Sequence, residues 1–433
     1  MGRNLSDKLS EAAIKMANTR KAKVRRSQGW DTRLIAPPLE VASKSKMMVA
    51  RHILKGRRAN RNGKVAWVTS GAPVEVLKAL GYYLFYPENH GAICGTARVV
   101  EDISGQAEQA GYSRDLCSYA RTDIGATISG ETPIKTIPKP DLLLGCTNIC
   151  QTVLHWYRVV AHQHQVPLIL IDAPFIYREA EEHTIDYVKR QIEEAVPLSE
   201  QIAEKSLDYA ELERVTDLSR QATNLWLEIL ERCRHVPAPI SVFDQFILMA
   251  PIVEMRGEQE TVDFYTEMLA EVDGRIENGI GAVVNERARL LWDNLPIWYR
   301  LRYLAEFLAE RGIVLAASTY TNAWGELANM YDPARPFDSA ARAYLHPILN
   351  RGTGDKLSRM ARMVSDYKLD GVILHSDRSC KPYSIGQMDQ RDRLIKDHNV
   401  PALLLEADHS DPRSFSEEQA ANRLEAFVEM LGV

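Results

Sequence analysis

Residues 141–150 (DLLLGCTNIC) constrain the fold of this chain more than any other stretch. Leucines 142–144 form an apolar run that is too short for a helix, which is typical of a buried strand. Residues 151–162 have helical spacing, and residues 166–172 form a second apolar strand. This pattern predicts a βαβ unit, and open α/β sheets bind ligands outside the carboxyl ends of their strands. Cys146 is therefore predicted to lie at a ligand-binding edge.

Short apolar runs alternate with helical segments in two separate parts of the chain. This alternation predicts an α/β protein in which two small parallel-sheet domains face a central cleft. A charge-rich stretch with few helix breakers lies between the two parts and predicts a helical connection. The predicted divisions are a helical N-terminal segment (1–60), a first α/β domain (61–195), the helical connection (196–280) and a second α/β domain (281–433).

The charge and apolar patterns exclude several classes of protein. The net charge of −5 gives no general attraction to nucleic acid or to anionic lipid. The N-terminus has no apolar signal region, and no apolar run approaches the length of a membrane span. The basic runs at 21–26 and 55–58 fit a solvated helix face, with docking on a partner subunit or on an anionic ligand such as coenzyme A as the alternative. We expect a cytoplasmic protein without nucleic-acid or membrane partners.

The chain has six cysteines, and their scatter argues against a secreted disulfide scaffold. Cys117, Cys146 and Cys380 each fall at a predicted strand-end loop or helix start, so they converge if the two domains face each other. Thiolates favour Zn, Cu(I) or iron–sulfur clusters. Spacing alone leaves two alternatives open, ligation of a metal cluster and buried structural thiols. Cys94 is predicted in a loop, and Cys233 is predicted to be structural.

Glu75 is the acid that the sequence places closest to the same edge. It follows the first predicted strand, and Pro73 before it suits a first helical turn. An acid there either takes part in the reaction or only interacts favourably with the helix dipole. The chain has no phosphate-binding G-x-x-x-x-G-K-[ST] loop and no strand–G-x-G-x-x-G–helix, so ATP or dinucleotide use by this chain is unsupported.

Several short motifs, taken in order, resemble the 2-hydroxyacyl-CoA dehydratase / benzoyl-CoA reductase family over residues 60–433. The likeness is greatest to the B-type subunits of the ATP-dependent (class I) benzoyl-CoA reductases. The matching motifs are APVE (72–75), YPEN (86–89), CSY (117–119), GCTNIC (145–150), HSDRSC (375–380), LEAD (405–408), DPR (411–413) and RLEAF (423–427).

The resemblance implies a [4Fe–4S] cluster on Cys117, Cys146 and Cys380, with roles for Cys94 and Cys150 left open. It implies a homologous cluster-bearing sister subunit and an ATP-hydrolysing iron–sulfur activator, with ferredoxin as the indirect electron donor. The implied reaction reduces the ring of benzoyl-CoA to a cyclic dienoyl-CoA, with Glu75 as the acid/base candidate. The alternatives are dehydration of a 2-hydroxyacyl-CoA through a ketyl radical and a non-catalytic electron-transfer or scaffold subunit.

Overall fold

The computed structural model describes residues 33–433. Residues 1–32 lie outside this range and include the basic run at 21–26 and part of the predicted N-terminal helical segment. In the described range, no helix is long and apolar enough to cross a membrane.

The first sheet is formed by four short, mostly buried strands. They are β1 (Val65–Val68), β2 (Tyr83–Phe85), β3 (Leu142–Cys146) and β4 (Leu168–Ile171). All neighbours are parallel, in the order β2-β1-β3-β4. The helices before, between and after these strands are α1 (Val41–Asn62), α2 (Glu75–Ala79), α3 (Pro87–Ala97), α4 (Val100–Gln109), α5 (Ser118–Ser129), α6 (Gln151–His164) and α7 (Glu182–Glu194).

The second sheet repeats the topology of the first. Its strands are β5 (Ala288–Asp293), β6 (Ile313–Ser318), β7 (Gly371–Asp377) and β8 (Ala402–Ala407). They are again parallel, in the order β6-β5-β7-β8. Its helices are α13 (Leu301–Glu310), α14 (Thr319–Gly325), α15 (Pro336–Leu345), α16 (Thr353–Asp366), α17 (Lys381–Ser384), α18 (Gln387–His398) and α19 (Glu417–Leu431), with 3₁₀ turns at Trp298–Arg300, Ile348–Asn350 and Pro412–Ser414.

Five helices connect the two sheets. They are α8 (Val196–Ala203), α9 (Tyr209–Arg232), α10 (Val242–Leu248), α11 (Ala250–Glu254) and α12 (Gln259–Glu277). The long helix α9 packs against α2, α12 and α14, so it contacts elements of both halves. Its buried residues recur every three or four positions, as the apolar stripe of a helix requires.

The core follows the two faces of each sheet. One large cluster joins the inner faces of both sheets to the connecting helices, and two smaller clusters cover the outer faces. In β3, Leu142, Leu144 and Cys146 belong to the large cluster, whereas Leu143 packs in the outer cluster. This is the period-two alternation of a strand. The predicted α/β class with two parallel sheets is confirmed, while the domain boundaries stay predictions.

One local prediction is wrong. The sequence predicts Cys94 in a loop, but this residue lies in α3, fully buried against the helix pair α4 and α5. The segment begins with Pro87, which suits a first helical position because its missing N–H needs no partner there. The two glycines in this segment lower helix propensity but do not prevent a buried helix, since packing outweighs propensity.

Candidate active site

A cavity of about 150 Å³ lies between the carboxyl edges of the two sheets. Strand order reverses between β1 and β3 in the first sheet, and between β5 and β7 in the second. Ligands of open α/β sheets bind at such switch points. The loops that follow these strands supply Ser70, Cys150, Leu295 and Cys380 to the cavity wall. The two repeated topologies therefore place both of their binding edges on one shared space.

The wall of the cavity is mostly apolar and aromatic. Among residues 33–433, no lysine or arginine lines it, and His409 is its one basic side chain. Aromatic rings of this kind accept planar or apolar groups by stacking and edge contacts. The aromatic lining residues are Tyr119, Trp156, Tyr320, Trp324, Tyr344 and Tyr383.

Three thiols face this space: those of Cys117, Cys150 and Cys380. Each of these cysteines occupies the position just before the first residue of a helix, α5, α6 and α17 respectively. The Sγ atom of Cys150 accepts a hydrogen bond from the backbone N–H of Val153 at 3.4 Å. The first turn of a helix favours a thiolate, so these positions suit thiolate ligands.

The charges of these thiols act on one another. Burial, with a smaller contribution from the Cys117 thiol, raises the pKa of Cys150 to about 11. Burial also raises the pKa of Cys380 well above its ordinary value, and Asp377, Cys117 and Cys150 add to this. A metal cluster would offset this mutual repulsion by replacing the protons of the thiols. The donor set, three thiols from both sheets, fits a thiolate-bound cluster with one position left for another ligand.

Cys146 and the other cysteines lie elsewhere. Cys146 ends β3 and is fully buried in the large core cluster, on the face of the strand that Leu144 shares, and it does not line the cavity. Cys233 is buried beside Gln245, whose side-chain amide contacts its sulfur at 3.5 Å. The structure thus brings together two of the three predicted ligands and adds Cys150, whose role the sequence left open.

Glu75 is buried behind the cavity wall rather than in it. Its carboxylate accepts hydrogen bonds from the hydroxyls of Tyr344, at 3.0 and 3.1 Å, and Ser219, at 3.0 Å. The guanidinium of Arg256 lies 3.7 Å away. Of these partners only Tyr344 lines the cavity. The catalytic role predicted for Glu75 stays a prediction, and its contacts link it to the packing of the wall.

Glu88 is the carboxylic acid that lines the cavity. It lies in the first turn of α3, where its carboxylate accepts a hydrogen bond from the Ser70 N–H at 3.1 Å and contacts the Tyr157 hydroxyl at 3.3 Å. Burial raises its pKa to about 7, although these hydrogen bonds act to lower it. The group can therefore hold or release a proton near neutral pH. The sequence signal was the acid in YPEN, directly after the second strand.

A buried polar network connects the two halves beside Cys117. His409 follows β8, and its Nδ1 lies 2.6 Å from Asp377 Oδ2, while its Nε2 lies 2.8 Å from Ser118 Oγ and 3.9 Å from Cys117 Sγ. Asp408 accepts a hydrogen bond from Ser118 at 2.6 Å. Burial alone would lower the pKa of His409, but Asp377 and Asp408 hold it well above its usual range. The network fixes the loop that carries Cys117 against the second sheet.

These features define a class of protein: two facing α/β units that enclose a thiol-lined, aromatic cavity with one protonatable acid. The family model for 2-hydroxyglutaryl-CoA dehydratase, D-component, matches residues 69–431, and the chain belongs to this family of enzymes.

Relatives with known activities match over most of the chain. The (R)-phenyllactyl-CoA dehydratase alpha subunit of Clostridium sporogenes is 30% identical over 86% of this chain and 90% of its own length. The (R)-2-hydroxyisocaproyl-CoA dehydratase alpha subunit of Clostridioides difficile is 31% identical, covering 89% and 94%. The B-type subunit of the benzoyl-CoA reductase of Thauera aromatica is 26% identical, covering 90% and 94%. The chain is thus similar to subunits of both dehydratases and a reductase that act on CoA thioesters.

Proposed function

We propose that this chain is the iron–sulfur subunit of an ATP-dependent benzoyl-CoA reductase and forms the module that reduces the aromatic ring to a cyclic dienoyl-CoA. The observation that carries the proposal is the cavity itself, in which aromatic rings, three thiols and one buried acid enclose a space whose described lining has no lysine or arginine. The uncharged aryl thioester end of benzoyl-CoA matches these walls. The similarity to the B-type subunit of a benzoyl-CoA reductase supports the same substrate class.

We propose Cys117, Cys150 and Cys380 as the residues that hold a [4Fe–4S] cluster, since these are the thiols that share the cavity. Bound there, the cluster would supply low-potential electrons to the thioester. Cys146, the third ligand predicted from the sequence, would require its side chain to leave the core.

The residues of the chain itself would bind the substrate and manage protons. The rings of the cavity wall would sandwich the aryl group and exclude water, which competes for low-potential electrons. Conversion of the ring to the dienoyl product takes up two electrons and two protons, and Glu88 would donate a proton to the reduced ring.

The proposed assembly assigns ATP hydrolysis and substrate reduction to different subunits. The chain has no ATP-binding phosphate loop, so ATP hydrolysis would belong to a separate iron–sulfur activator, with ferredoxin as its electron source. The relatives are named as alpha or B-type subunits, which supports a hetero-oligomer with a homologous sister subunit.

Turnover by the anaerobically purified complex tests this function. With ATP and a low-potential donor, we expect the complex to convert benzoyl-CoA to a dienoyl-CoA and to show an iron–sulfur EPR signal. The isolated chain should show neither ATPase nor reductase activity. Conversion of a 2-hydroxyacyl-CoA with no reaction of benzoyl-CoA would contradict the reductase proposal.

The second candidate is a subunit of a 2-hydroxyacyl-CoA dehydratase, which eliminates water through a ketyl radical of the substrate. The identities of 30% and 31% to two dehydratase alpha subunits favour it. The apolar cavity would then select an apolar or aryl 2-hydroxyacyl group. Net electron consumption separates the two reactions, because ring reduction takes up two electrons per product and dehydration is redox-neutral overall.

A further inference from the structure

A line of buried polar residues runs through the wall behind Glu88, in a region otherwise filled by apolar side chains. Its members lie on three helices of the first half, α3, α5 and α6, and on the loop after α5. None of them belongs to the thiol set or to the network around His409. Polar groups are costly to bury without partners, so such a line calls for an explanation. Its members beyond Glu88 are Tyr157, Asp123, Cys94, His90 and Thr132.

The inner part of the line begins at Glu88, whose Oε2 lies 3.3 Å from the Tyr157 hydroxyl. Asp123 follows, fully buried, with its Oδ2 accepting a hydrogen bond from Trp156 Nε1 at 2.8 Å. Asp123 therefore contacts α6 at Trp156, the residue before Tyr157. Burial raises the pKa of Asp123 to about 7, the same value as for Glu88. Glu88 and Asp123 are thus two buried acids on helices that pack against each other, and such acids can donate and accept protons.

The outer part of the line leads from Asp123 to the surface. Cys94 packs with Ala126, about one turn after Asp123 on α5, and Cys94 Sγ lies 3.5 Å from His90 Nε2. The same His90 nitrogen lies 2.9 Å from the hydroxyl of Thr132, which is half-buried. Thr132 belongs to the loop after α5, whose neighbour Glu131 is exposed. The line of polar residues therefore reaches the protein surface at this loop.

Two atoms along this line have no hydrogen-bond partner among the described residues: Asp123 Oδ1 and His90 Nδ1. Both residues are buried, with 0% and 1% of their surface exposed. Buried polar atoms are normally paired with protein or with ordered water. Internal water at these two atoms would supply the hydrogen-bond partners that the described residues do not.

We propose that Asp123 and His90, joined through Tyr157, Cys94 and internal water, form a proton path that resupplies Glu88 from the surface at Thr132. The path rests on the proposed function, because ring reduction consumes two protons per turnover and the described lining of the cavity offers no other carboxylic acid. Glu88 can donate the one proton that its carboxyl group holds. The next must come through the protein, and Asp123 is placed to pass it on.

Infrared spectroscopy of the full-length chain tests the path without any turnover. The carbonyl stretch of protonated Glu88 is assigned by its absence in Glu88→Gln, and its shift in D₂O at pH 6 gives the rate of proton exchange. We expect this exchange to slow by at least ~10-fold in Asp123→Asn, less than the ~100-fold rate loss typical of removing a direct acid. His90→Gln should slow it as well, which covers the case in which Asp123→Asn fails to fold.

Kinetics of the assembled complex provide the second readout. In Asp123→Asn, we expect normal iron content, with single-turnover and steady-state rates both lowered by at least ~10-fold, because the second proton of each turnover requires Glu88 to be reprotonated. His164→Gln is the matched control, since His164 is partly buried against Trp67 and also has an unpaired nitrogen among the described residues, but lies off the path. Wild-type exchange rates in both Asp123→Asn and His90→Gln would overturn the path. A wild-type complex that exchanges Glu88 normally yet leaves benzoyl-CoA unreduced would contradict the proposed function alone.

Discussion

At the scale of single residues, Glu88 is the group on which the proposed proton chemistry depends. Glu88→Gln keeps the shape of the side chain and removes the titrating proton, so we expect turnover to fall by at least ~100-fold with iron content unchanged. Burial places the pKa of Glu88 at about 7. The acid form is lost above that pH, so wild-type turnover should decline as pH rises through 7, and the residual rate of the variant should lack this decline.

Glu75→Gln is the matched comparison for Glu88→Gln. Both acids are buried, but the carboxylate of Glu75 is engaged by Tyr344, Ser219 and Arg256 outside the cavity. We expect Glu75→Gln to affect stability more than turnover. A loss of turnover of ~100-fold or more at unchanged stability and iron content would instead support the role predicted for Glu75 from the sequence.

The cysteines give a second test at this scale. We expect Cys117→Ala, Cys150→Ala and Cys380→Ala to lose the cluster, measured as iron and sulfide content and by EPR, because each removes a thiol from the cavity. Cys146→Ala and Cys233→Ala should retain it, since both thiols are buried elsewhere. Wild-type iron content in Cys150→Ala together with loss in Cys146→Ala would restore the ligand set predicted from the sequence.

The choice between Cys146 and Cys150 shows where sequence reasoning reaches its limit. The strand-end rule places Cys380 at the cavity and the predicted helix start places Cys117 there, as the structure does. The strand-end rule depends only on topology. It does not say which way the last residue of a strand points. The alternation along β3 does: Cys146 shares the face of Leu142 and Leu144, which packs in the core. Cys150 lies past the turn, before the first residue of α6.

At the scale of elements, the loop after β1 is held in place by one buried guanidinium. Arg256, just after α11, is fully buried and donates to the carbonyl oxygens of Ala72 and Val253 and to the Tyr344 hydroxyl. It also lies over the rings of Trp324 and Tyr344, both of which line the cavity. The Arg256 side chain thus links α11, one of the connecting helices, to parts of the cavity wall that come from both halves.

We expect Arg256→Met to destabilise the chain by about 3–5 kcal/mol, because it leaves the buried carboxylate of Glu75 without its charge partner. Urea unfolding measures the free energy. Arg214→Met is the control, since Arg214 forms an exposed pair with Glu211 one helical turn away, and such pairs contribute at most about 1 kcal/mol. Equal losses in the two variants would contradict the role of Arg256.

The sequence predicted much of the element order, but it did not predict the part of the cavity wall that α14 and α15 form. The apolar runs at 142–144 and 166–172 predicted β3 and β4 to within a few residues, because short buried strands between helical segments have a clear pattern. The helices α14 and α15 supply Tyr320, Trp324 and Tyr344, and no motif or spacing indicated that these rings belong to a site. Their positions depend on packing against α9, a contact between residues far apart in the chain.

At the scale of the whole molecule, charged contacts hold the two halves closed around the cavity. Arg121 of α5 is buried and pairs with Asp411, which follows β8. Arg413, also from the second half, pairs with Glu108 of α4 in the first half. The hydrogen bond between Ser118 and Asp408 lies in the same interface. Since Cys117 comes from the first half and Cys380 from the second, the thiols share one cavity only while this interface is intact.

We expect the acid sensitivity of this interface to depend on Asp408. Burial would raise the pKa of Asp408, but the neighbouring His409 and several hydrogen bonds lower it from 3.8 to about 2. A carboxylate whose pKa is lower in the folded than in the unfolded state stabilises the fold above its unfolded pKa, and this contribution is lost as pH falls toward the folded value. The shift corresponds to about 2 kcal/mol, lost between about pH 4 and pH 2.

Urea unfolding of the metal-free chain at pH 4, 3 and 2 measures this loss directly. Asp408→Asn should be less stable than wild type at pH 7, because His409 loses a carboxylate, and should show a shallower decline between pH 4 and 2. Asp332→Asn is the control: its carboxylate pairs with Arg335 three residues away, on the surface and outside the interface, so its decline should follow that of wild type. If Asp408→Asn loses stability with pH as steeply as wild type, the acid sensitivity lies elsewhere. The acid-sensitive contacts between the halves would then be the pairs of Arg121 with Asp411 and of Arg413 with Glu108, whose carboxylates are protonated at low pH.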